Sequence, residues 1–275
     1  MKSIIIATDF SNNAFKAAGY AANLYRNIPC RFILFHAYYD GGSMVKEDIP
    51  HIIASKSEEI NRNLTQLKNE FQELVHHVDT TIEAIALYGE IVKMIINEAK
   101  KQFADLIVIG TKGAGDNQTT VFGRSTVAIL EDLPCSVICV PINTRLTGLD
   151  HIMFATDYHN INNLGKLFEI KGLAKANDSK ISIVNIMKDL KVPVPIENGM
   201  EGLALHNFLG VIPNEFYNHQ ADDIKTGILN FANQKEVNLI VMINREKTFW
   251  ESLFHKSLSK DTALNSAIPL LILKD

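Results

Sequence analysis

One segment of the sequence, residues 107–126, combines glycine, hydroxyl and basic residues in a way that suits phosphate binding. It reads IVIGTKGAGDNQTTVFGRST, and its glycines are Gly110, Gly113 and Gly123. The next three residues carry a guanidinium and two hydroxyls: Arg124, Ser125 and Thr126. Glycine lets backbone amides approach a ligand closely, and the start of a helix attracts phosphate through its free N–H groups and its dipole. The segment therefore predicts a loop that folds backbone amides around a phosphorylated ligand.

Other interpretations of these glycines stay open at this point. The run GTKGAG is not followed by Gly-Lys-Ser/Thr, so it is not a Walker loop, and residues 113–115 lack the third glycine of a dinucleotide fingerprint. Glycines that only form tight turns would give the same local pattern.

An acidic residue follows another buried run, near the amino terminus. Asp9 lies just past the apolar run 4–7, and Gly110 lies just past the apolar run 106–109. In a doubly wound sheet, ligands bind outside the carboxyl ends of the strands, at the point where the strand order reverses. If these two strands are neighbours, Asp9 and Gly110 face the same crevice. Asp9 would then accept hydrogen bonds from ribose hydroxyls or hold a divalent cation.

The elements that position these residues alternate along the chain. Short apolar runs predict strands at residues 4–7, 31–37, 80–87, 106–109 and 136–140, and helical spacing predicts helices at 14–25, 45–76, 90–103 and 124–132. This alternation indicates an α/β fold with a mostly parallel five-stranded sheet and helices on both faces.

The second half of the chain repeats the first. IIIATDFSNNA at 4–14 is similar to IMFATDYHNIN at 152–162, and DLIVIG at 105–110 is similar to NLIVMI at 238–243. A repeat of this length predicts two tandem doubly wound domains, at residues 1–142 and 150–275, joined by a polar linker.

Composition limits the classes of function. The formal net charge is −4, which gives no electrostatic basis for nucleic-acid binding. We find no apolar stretch long enough to cross a membrane and no framework of paired cysteines among Cys30, Cys135 and Cys139. These features predict a cytoplasmic protein with neither a nucleic-acid nor a membrane partner.

The strand-ending ATDFS, the G-x2-G-x9-G spacing and the final LPCSVICVP run together resemble the universal stress protein family, strongly over residues 1–142 and more weakly over 150–275. The resemblance implies a Rossmann-like fold of the adenine-nucleotide alpha-hydrolase type and a site for ATP or AMP, with or without Mg²⁺. It implies that Asp9 contacts the ribose, backbone near Ala37 the adenine, and the glycine loop the phosphates. The site residues would be Ala7, Thr8, Asp9, Ala37, Ile109, Gly110, Gly113, Gly123, Arg124, Ser125 and Thr126.

The sequence departs from the family pattern in two places. Arg124 stands where the family has Ser or Thr, and it either strengthens phosphate binding by charge or obstructs it by size. In the second copy, Ile243 and Glu246 take the places of Gly110 and Gly113, so we expect that site to have lost ATP binding. A basic cluster there, which includes Arg245, Lys247 and Lys256, is either a solvated face or a site for a different anion.

These features predict a nucleotide-binding regulatory protein of the stress response. No catalytic base and no metal-ligating set can be named, so slow ATP hydrolysis, a hydrolase of the related type and a scaffold without nucleotide remain alternatives. The resemblance also implies an internal pseudo-dimer through residues 137–140 and 270–273, and a homodimer of whole chains is a further option.

Overall fold

The computed structural model describes residues 1–39, 49–112, 123–158, 164–188, 196–244 and 267–275, without the side chains of 49–55 and 196–198. The chain divides into two compact units, Met1–Leu146 and Thr147–Asp275, so the division falls inside the predicted linker 143–149.

The first unit is a parallel sheet with a helix after each of its first four strands. Its strands are β1 (Lys2–Ala7), β2 (Cys30–Tyr38), β3 (Thr81–Tyr88), β4 (Leu106–Gly110) and β5 (Ser136–Val140). Its helices are α1 (Asn12–Leu24), α2 (Ile49–Leu74), α3 (Ile91–Lys101) and α4 (Arg124–Glu131). The strand order is β3-β2-β1-β4-β5, and all the strand pairs are parallel.

Burial explains why these segments form strands and helices. The central strands β1 and β4 are covered on both faces, and Ile4, Ile5 and Ile6 have no exposed surface, as expected for continuous apolar runs in a parallel sheet. Ser11 is the N-cap of helix α1, and its hydroxyl accepts a hydrogen bond from the Ala14 amide at 3.2 Å. Alanines line the buried side of α1, so the helix packs closely on the sheet.

The second unit repeats this arrangement. Its strands are β6 (His151–Ala155), β7 (Lys180–Met187), β8 (Asn214–Gln220), β9 (Leu239–Asn244) and β10 (Leu270–Lys274). A 3-10 turn (Leu164–Leu167) precedes α5 (Phe168–Asn177), and α6 (Ile196–Leu209) and α7 (Ile224–Gln234) follow β7 and β8. The strand order is β10-β9-β6-β7-β8, again parallel.

The predicted fold class is confirmed: the protein is α/β, with parallel strands and intervening helices in both halves. The observed ends of the elements lie within a few residues of the predicted ones, and β5 spans residues 136–140 as predicted. Within the described ranges, every helix is either too short or too polar to cross a bilayer.

Candidate functional site

The candidate site lies where the strand order of the first unit reverses. Strand β1 lies between β2 and β4, and its last residue, Ala7, pairs with Phe35 on one side and Ile109 on the other. The crossover through α1 leads one way along the sheet and the crossover through α3 leads the other way, so right-handed connections place these helices on opposite faces. A crevice opens at such a point, beyond the carboxyl ends of β1 and β4. The structure therefore brings the predicted residues Ala7, Ile109 and Gly110 to one edge.

A compact turn follows β1 and carries Asp9 at this edge. The Thr8 amide donates to the Phe35 carbonyl at 2.9 Å, and the Thr8 hydroxyl oxygen accepts from the Phe10 amide at 3.0 Å. Phe10 has a φ of 61°, which is uncommon for a bulky residue. The exposed Asp9 accepts from the Ser11 amide through Oδ1 at 3.0 Å. The turn thus ends the strand, caps the helix and presents a carboxylate.

His36, near the end of β2, is held against the same turn. Its Nδ1 lies 2.7 Å from the Thr8 carbonyl oxygen, which can only accept, so Nδ1 carries the proton. The Phe10 ring lies over the imidazole with the two centroids 4.6 Å apart. Burial lowers the pKa of His36, against opposing effects of the Thr8 carbonyl and of Asp9. The residue is a neutral, packed link between β2 and the turn.

Ala37, the residue whose backbone is predicted to meet adenine, is buried next to His36 in β2. Beyond it, the ring of Tyr38 meets Tyr88 edge to face, with centroids 5.6 Å apart. The exposed Tyr39 also approaches Tyr88, at 6.0 Å. Aromatic side chains therefore flank the backbone segment that contains Ala37.

Gly110 is a glycine because the first turn of α1 lies against it. A Cβ built on Gly110 would lie 2.8 Å from Nδ2, 2.9 Å from Cγ and 3.1 Å from the backbone carbon of Asn13. The Asn13 side chain is held there because Nδ2 donates to the Lys112 carbonyl at 3.2 Å. The sequence suggested that this glycine serves close approach of a ligand, but the atoms that crowd it belong to the protein itself.

Asn13 also carries an unsatisfied group. The residue is 5% exposed, and its Oδ1 is buried with no hydrogen-bond partner among the described residues. Buried acceptors are normally paired, and an orphan at a candidate site calls for a donor. A hydroxyl of a ligand is one donor that would satisfy it.

The predicted phosphate-binding residues after Gly123 differ in their environments. Gly123 is the N-cap of α4 and, as a glycine, has no side chain to cap the first amides of the helix. Arg124 is exposed and Ser125 is half-buried. Thr126 is buried, and its hydroxyl donates to the Gly110 carbonyl at 3.2 Å. In this structure the Thr126 hydroxyl ties α4 to the end of β4, whereas the sequence suggested a phosphate contact.

The second unit keeps the turn but not the glycine. Thr156 donates to the Val184 carbonyl and accepts from the Tyr158 amide, both at 3.0 Å, and Tyr158 has a φ of 65°. These contacts reproduce those of Thr8 and Phe10. Strand pairing makes Ile243 the counterpart of Gly110, because Ile243 pairs with Leu273 as Gly110 pairs with Val140. A branched side chain therefore stands where the first unit has no Cβ.

Several predicted residues lie outside the described residues. They are Gly113, Glu246 and the basic cluster with Arg245, Lys247 and Lys256. Among the residues that the structure describes, no three His, Cys, Asp or Glu side chains gather closely enough to hold a metal ion.

Comparison with known proteins identifies the class. The model of the universal stress protein family matches residues 1–141. The universal stress protein in QAH/OAS sulfhydrylase 3'region of Thermus aquaticus is 28% identical over 142 residues, which cover 50% of this chain and 98% of that protein. The chain therefore belongs to the universal stress protein family.

Solved structures extend the likeness to both units. A universal stress protein from Archaeoglobus fulgidus aligns over 99% of this chain and 96% of its own, with 17% identity and a TM-score of 0.72. This identity shows a shared fold and nothing finer. A universal stress protein solved in complex with cAMP covers 50% of this chain and 96% of its own, with 17% identity and a TM-score of 0.40.

Sequence reasoning missed Asn13. The pair Asn12-Asn13 after Ser11 looks like the polar start of a helix, and nothing in the local pattern shows that one of the two asparagines packs against a residue 97 positions later. The only available signal was Gly110 itself, at the end of β4, a strand that would neighbour β1 in a doubly wound sheet.

Proposed function

We propose that the first unit binds an adenine nucleotide, ATP or AMP, at the carboxyl edge of β1, β2 and β4. The observation that carries the proposal is the pairing of Ala7 with both Phe35 and Ile109, because it puts three strand ends and the crevice of the switch point together. The family membership of residues 1–141 supports it.

Each proposed contact follows from the position of its residue. Asp9, exposed at this edge, accepts hydrogen bonds from the ribose hydroxyls, and backbone at Ala37 meets the adenine. The orphaned Asn13 Oδ1 is fully buried, so it could accept from a ribose hydroxyl only after a local shift of the Asn13 side chain. Gly110, Gly113 and Gly123 form the loop around the phosphates. Any Mg²⁺ would be held chiefly by phosphate oxygens, since the described residues offer no ready-made cluster of metal ligands.

The backbone amides at the start of α4 would donate hydrogen bonds to phosphate oxygens, and the side chains of Arg124 and Ser125 would add further donors. The exposed Arg124 side chain has room to turn toward an anion and form a charge-assisted hydrogen bond. Thr126 acts indirectly, by holding α4 against the Gly110 carbonyl.

We further propose that the second unit binds no ATP, because Ile243 puts a branched side chain at the position of Gly110. The protein would then be a binding protein that reports nucleotide in a stress response, with no named catalytic base. Its three cysteines are buried and form no disulfide, which suits the reducing cytoplasm. The pairing of the two units through residues 137–140 and 270–273 stays a prediction.

Calorimetric titration of ATP with Mg²⁺ tests the proposal, after co-purified nucleotide has been measured. We expect one molecule per chain. Asp9→Asn keeps an acceptor for the Ser11 amide but removes the charge, so it should weaken ATP by about tenfold while leaving the fold intact. The matched control is Asp157→Asn in the corresponding turn of the second unit, which should leave ATP affinity unchanged.

Two molecules per chain would contradict the loss of the second site. If ATP fails to bind and none has co-purified, the nucleotide assignment is wrong, and the alternative of a scaffold without nucleotide is favoured.

A further inference from the structure

The second unit has an open pocket of about 400 Å³ lined by α6 and the outer strand β8, and this pocket is called the α6 cavity below. Its walls include Tyr158, Gly202, Leu203, His206, Phe216 and Asn218. Pockets of 300–1,000 Å³ with aromatic walls and a few polar groups are typical of small-molecule sites. The cavity lies within one unit, so its shape is set by elements that are all close in the chain.

Two glycines of α6 create the space. A Cβ on Gly199 would meet no atom within 4 Å, and a Cβ on Gly202 would meet only the Phe216 ring, at 3.8 Å. The other end of α6 is fixed: Leu205 and Leu209 are buried, and Lys171 of α5 donates to the Phe208 carbonyl while lying 4.7 Å from the centre of its ring. The helix is therefore anchored by its last turns, and Gly202 puts no side chain over the Phe216 ring of β8.

One aromatic wall, Phe216, has no aromatic counterpart in the first unit. Register makes Phe216 the counterpart of Ala84, because Ile183 pairs with Phe216 as Leu34 pairs with Ala84. The Tyr158 and Phe216 rings are nearly parallel, with centroids 6.5 Å apart. The His206 ring also approaches Phe216, at 6.3 Å. Aromatic faces and edges of this kind favour a planar aromatic ligand.

The polar groups define the rest of the ligand. Asn214 donates its Nδ2 to the Ile212 carbonyl, so its Oδ1 is the atom that faces His206 Nδ1, at 2.8 Å. His206 Nδ1 must therefore carry the proton, and in the neutral imidazole Nε2 is an acceptor. Apart from this histidine, the side chains that line the cavity carry no ionisable group but tyrosine hydroxyls. Burial raises the pKa of Tyr158 to about 12, so that phenol is neutral.

From this geometry we infer that the second unit binds an uncharged, planar aromatic molecule with one N–H or O–H donor, under α6 and against Phe216. Phosphorylated ligands are disfavoured because the lining offers no cationic side chain. This inference does not depend on nucleotide binding in the first unit.

Indole is the probe, and 1-methylindole, which lacks the N–H, is its control ligand. In ligand-observed NMR with the full-length protein, we expect saturable indole binding with a Kd at or below about 1 mM, and weaker binding of 1-methylindole by about threefold or more. Gly202→Met should fill the cavity and weaken indole by about tenfold, as should Phe216→Ala by removing a wall. Gly172→Met makes the same change in α5, where a Cβ meets nothing within 4 Å, and should leave indole binding unchanged.

The inference is overturned if indole does not saturate, if both Gly202→Met and Phe216→Ala bind it as the wild type does, or if ATP displaces it competitively. Equal binding of the two indoles would overturn the role of His206 Nε2 as acceptor. Circular dichroism of each variant separates lost binding from lost folding, and Phe216→Ala serves if Gly202→Met fails to fold.

Discussion

Asn13 and Gly110 lie so close together that no side chain fits between them. A Cβ on residue 110 would be 2.8 Å from the side-chain Nδ2 of Asn13 and 3.1 Å from its backbone carbonyl carbon. The side chain of Asn13 has some freedom to move, but its backbone belongs to the first turn of α1 and has little. The glycine is thus required by packing of the protein itself, in addition to any close approach of a ligand.

Gly110→Ala should therefore destabilise the protein even in the absence of nucleotide. Overpacking of this kind costs about 1–3 kcal/mol. Urea unfolding followed by circular dichroism measures the cost. Gly172→Ala is the control, because that helical glycine has open space and alanine is favoured there by about 1 kcal/mol. An unchanged unfolding midpoint for Gly110→Ala would show that the first turn of α1 shifts away from residue 110 at little cost in free energy.

Ser125 and Thr126 should separate ligand binding from stability. Thr126→Val removes the hydrogen bond to the Gly110 carbonyl and should lower the free energy of unfolding by about 1 kcal/mol. Ser125→Ala should instead lower ATP affinity, by about threefold or more, with little effect on unfolding. Calorimetry and urea titration of both variants check this. If Thr126→Val weakens ATP binding without lowering the free energy of unfolding, the Thr126 hydroxyl contacts the phosphates after all.

The protein should lose stability as the pH falls below about 6.5, the ordinary value for histidine. His151 is buried, with Nδ1 2.9 Å from the Lys235 carbonyl and Nε2 2.8 Å from the Ser182 hydroxyl. Nδ1 must donate to the carbonyl, so Nε2 accepts from the hydroxyl and the ring is neutral.

Burial lowers the pKa of His151, and also that of His36. The unfolded chain therefore binds more protons between the lowered and the ordinary pKa, and the stabilisation present above pH 6.5 is lost as the pH falls through the lowered pKa. Urea midpoints measured from pH 8 to pH 5 give this slope. His151→Gln should flatten this dependence of the urea midpoint on pH. An identical slope in that variant would mean that His151 is not its source.

Arg31 and Glu83 join β2 to β3 by two hydrogen bonds, with Nε 2.6 Å from Oε1 and Nη2 2.8 Å from Oε2. The Arg31 guanidinium lowers the pKa of Glu83. Both side chains are partly exposed, so a double-mutant cycle with Arg31→Met and Glu83→Gln should give a coupling of about 1 kcal/mol or less. The coupling should be lost as the pH falls through the lowered pKa of Glu83, because the carboxyl is then protonated. Coupling that persists there would point to packing of the arginine stem.

The strands were predictable because buried parallel strands have a simple sequence signal. Residues 136–140 form β5 as predicted, and Pro141 ends the apolar run. The sequence placed Asp9 and Gly110 at one crevice only if β1 and β4 were neighbours, and the structure supplies that pairing. The cause of Gly110 was not predictable, because it depends on a contact between α1 and the end of β4. The hydrogen-bond partner of the Thr126 hydroxyl could be identified only from the position of the Gly110 carbonyl in the structure.

The α6 cavity was beyond prediction for a different reason. The spacing of Gly199 and Gly202 is visible in the sequence, but two glycines in a helix suggest local weakness. Only the position of Phe216, on a strand that packs below that helix, shows that the space is lined.

The turn that Thr8 and Phe10 form is matched, bond for bond, by Thr156 and Tyr158 in a unit whose Gly110 counterpart is isoleucine. The Ala-Thr-Asp signature is thus tied to how the chain leaves its first strand and enters its first helix. Genome surveys that score this signature would therefore count this way of leaving the first strand, whether or not Gly110 has a counterpart. A survey that also required a residue without a Cβ at the end of the fourth strand would separate the two halves of this protein.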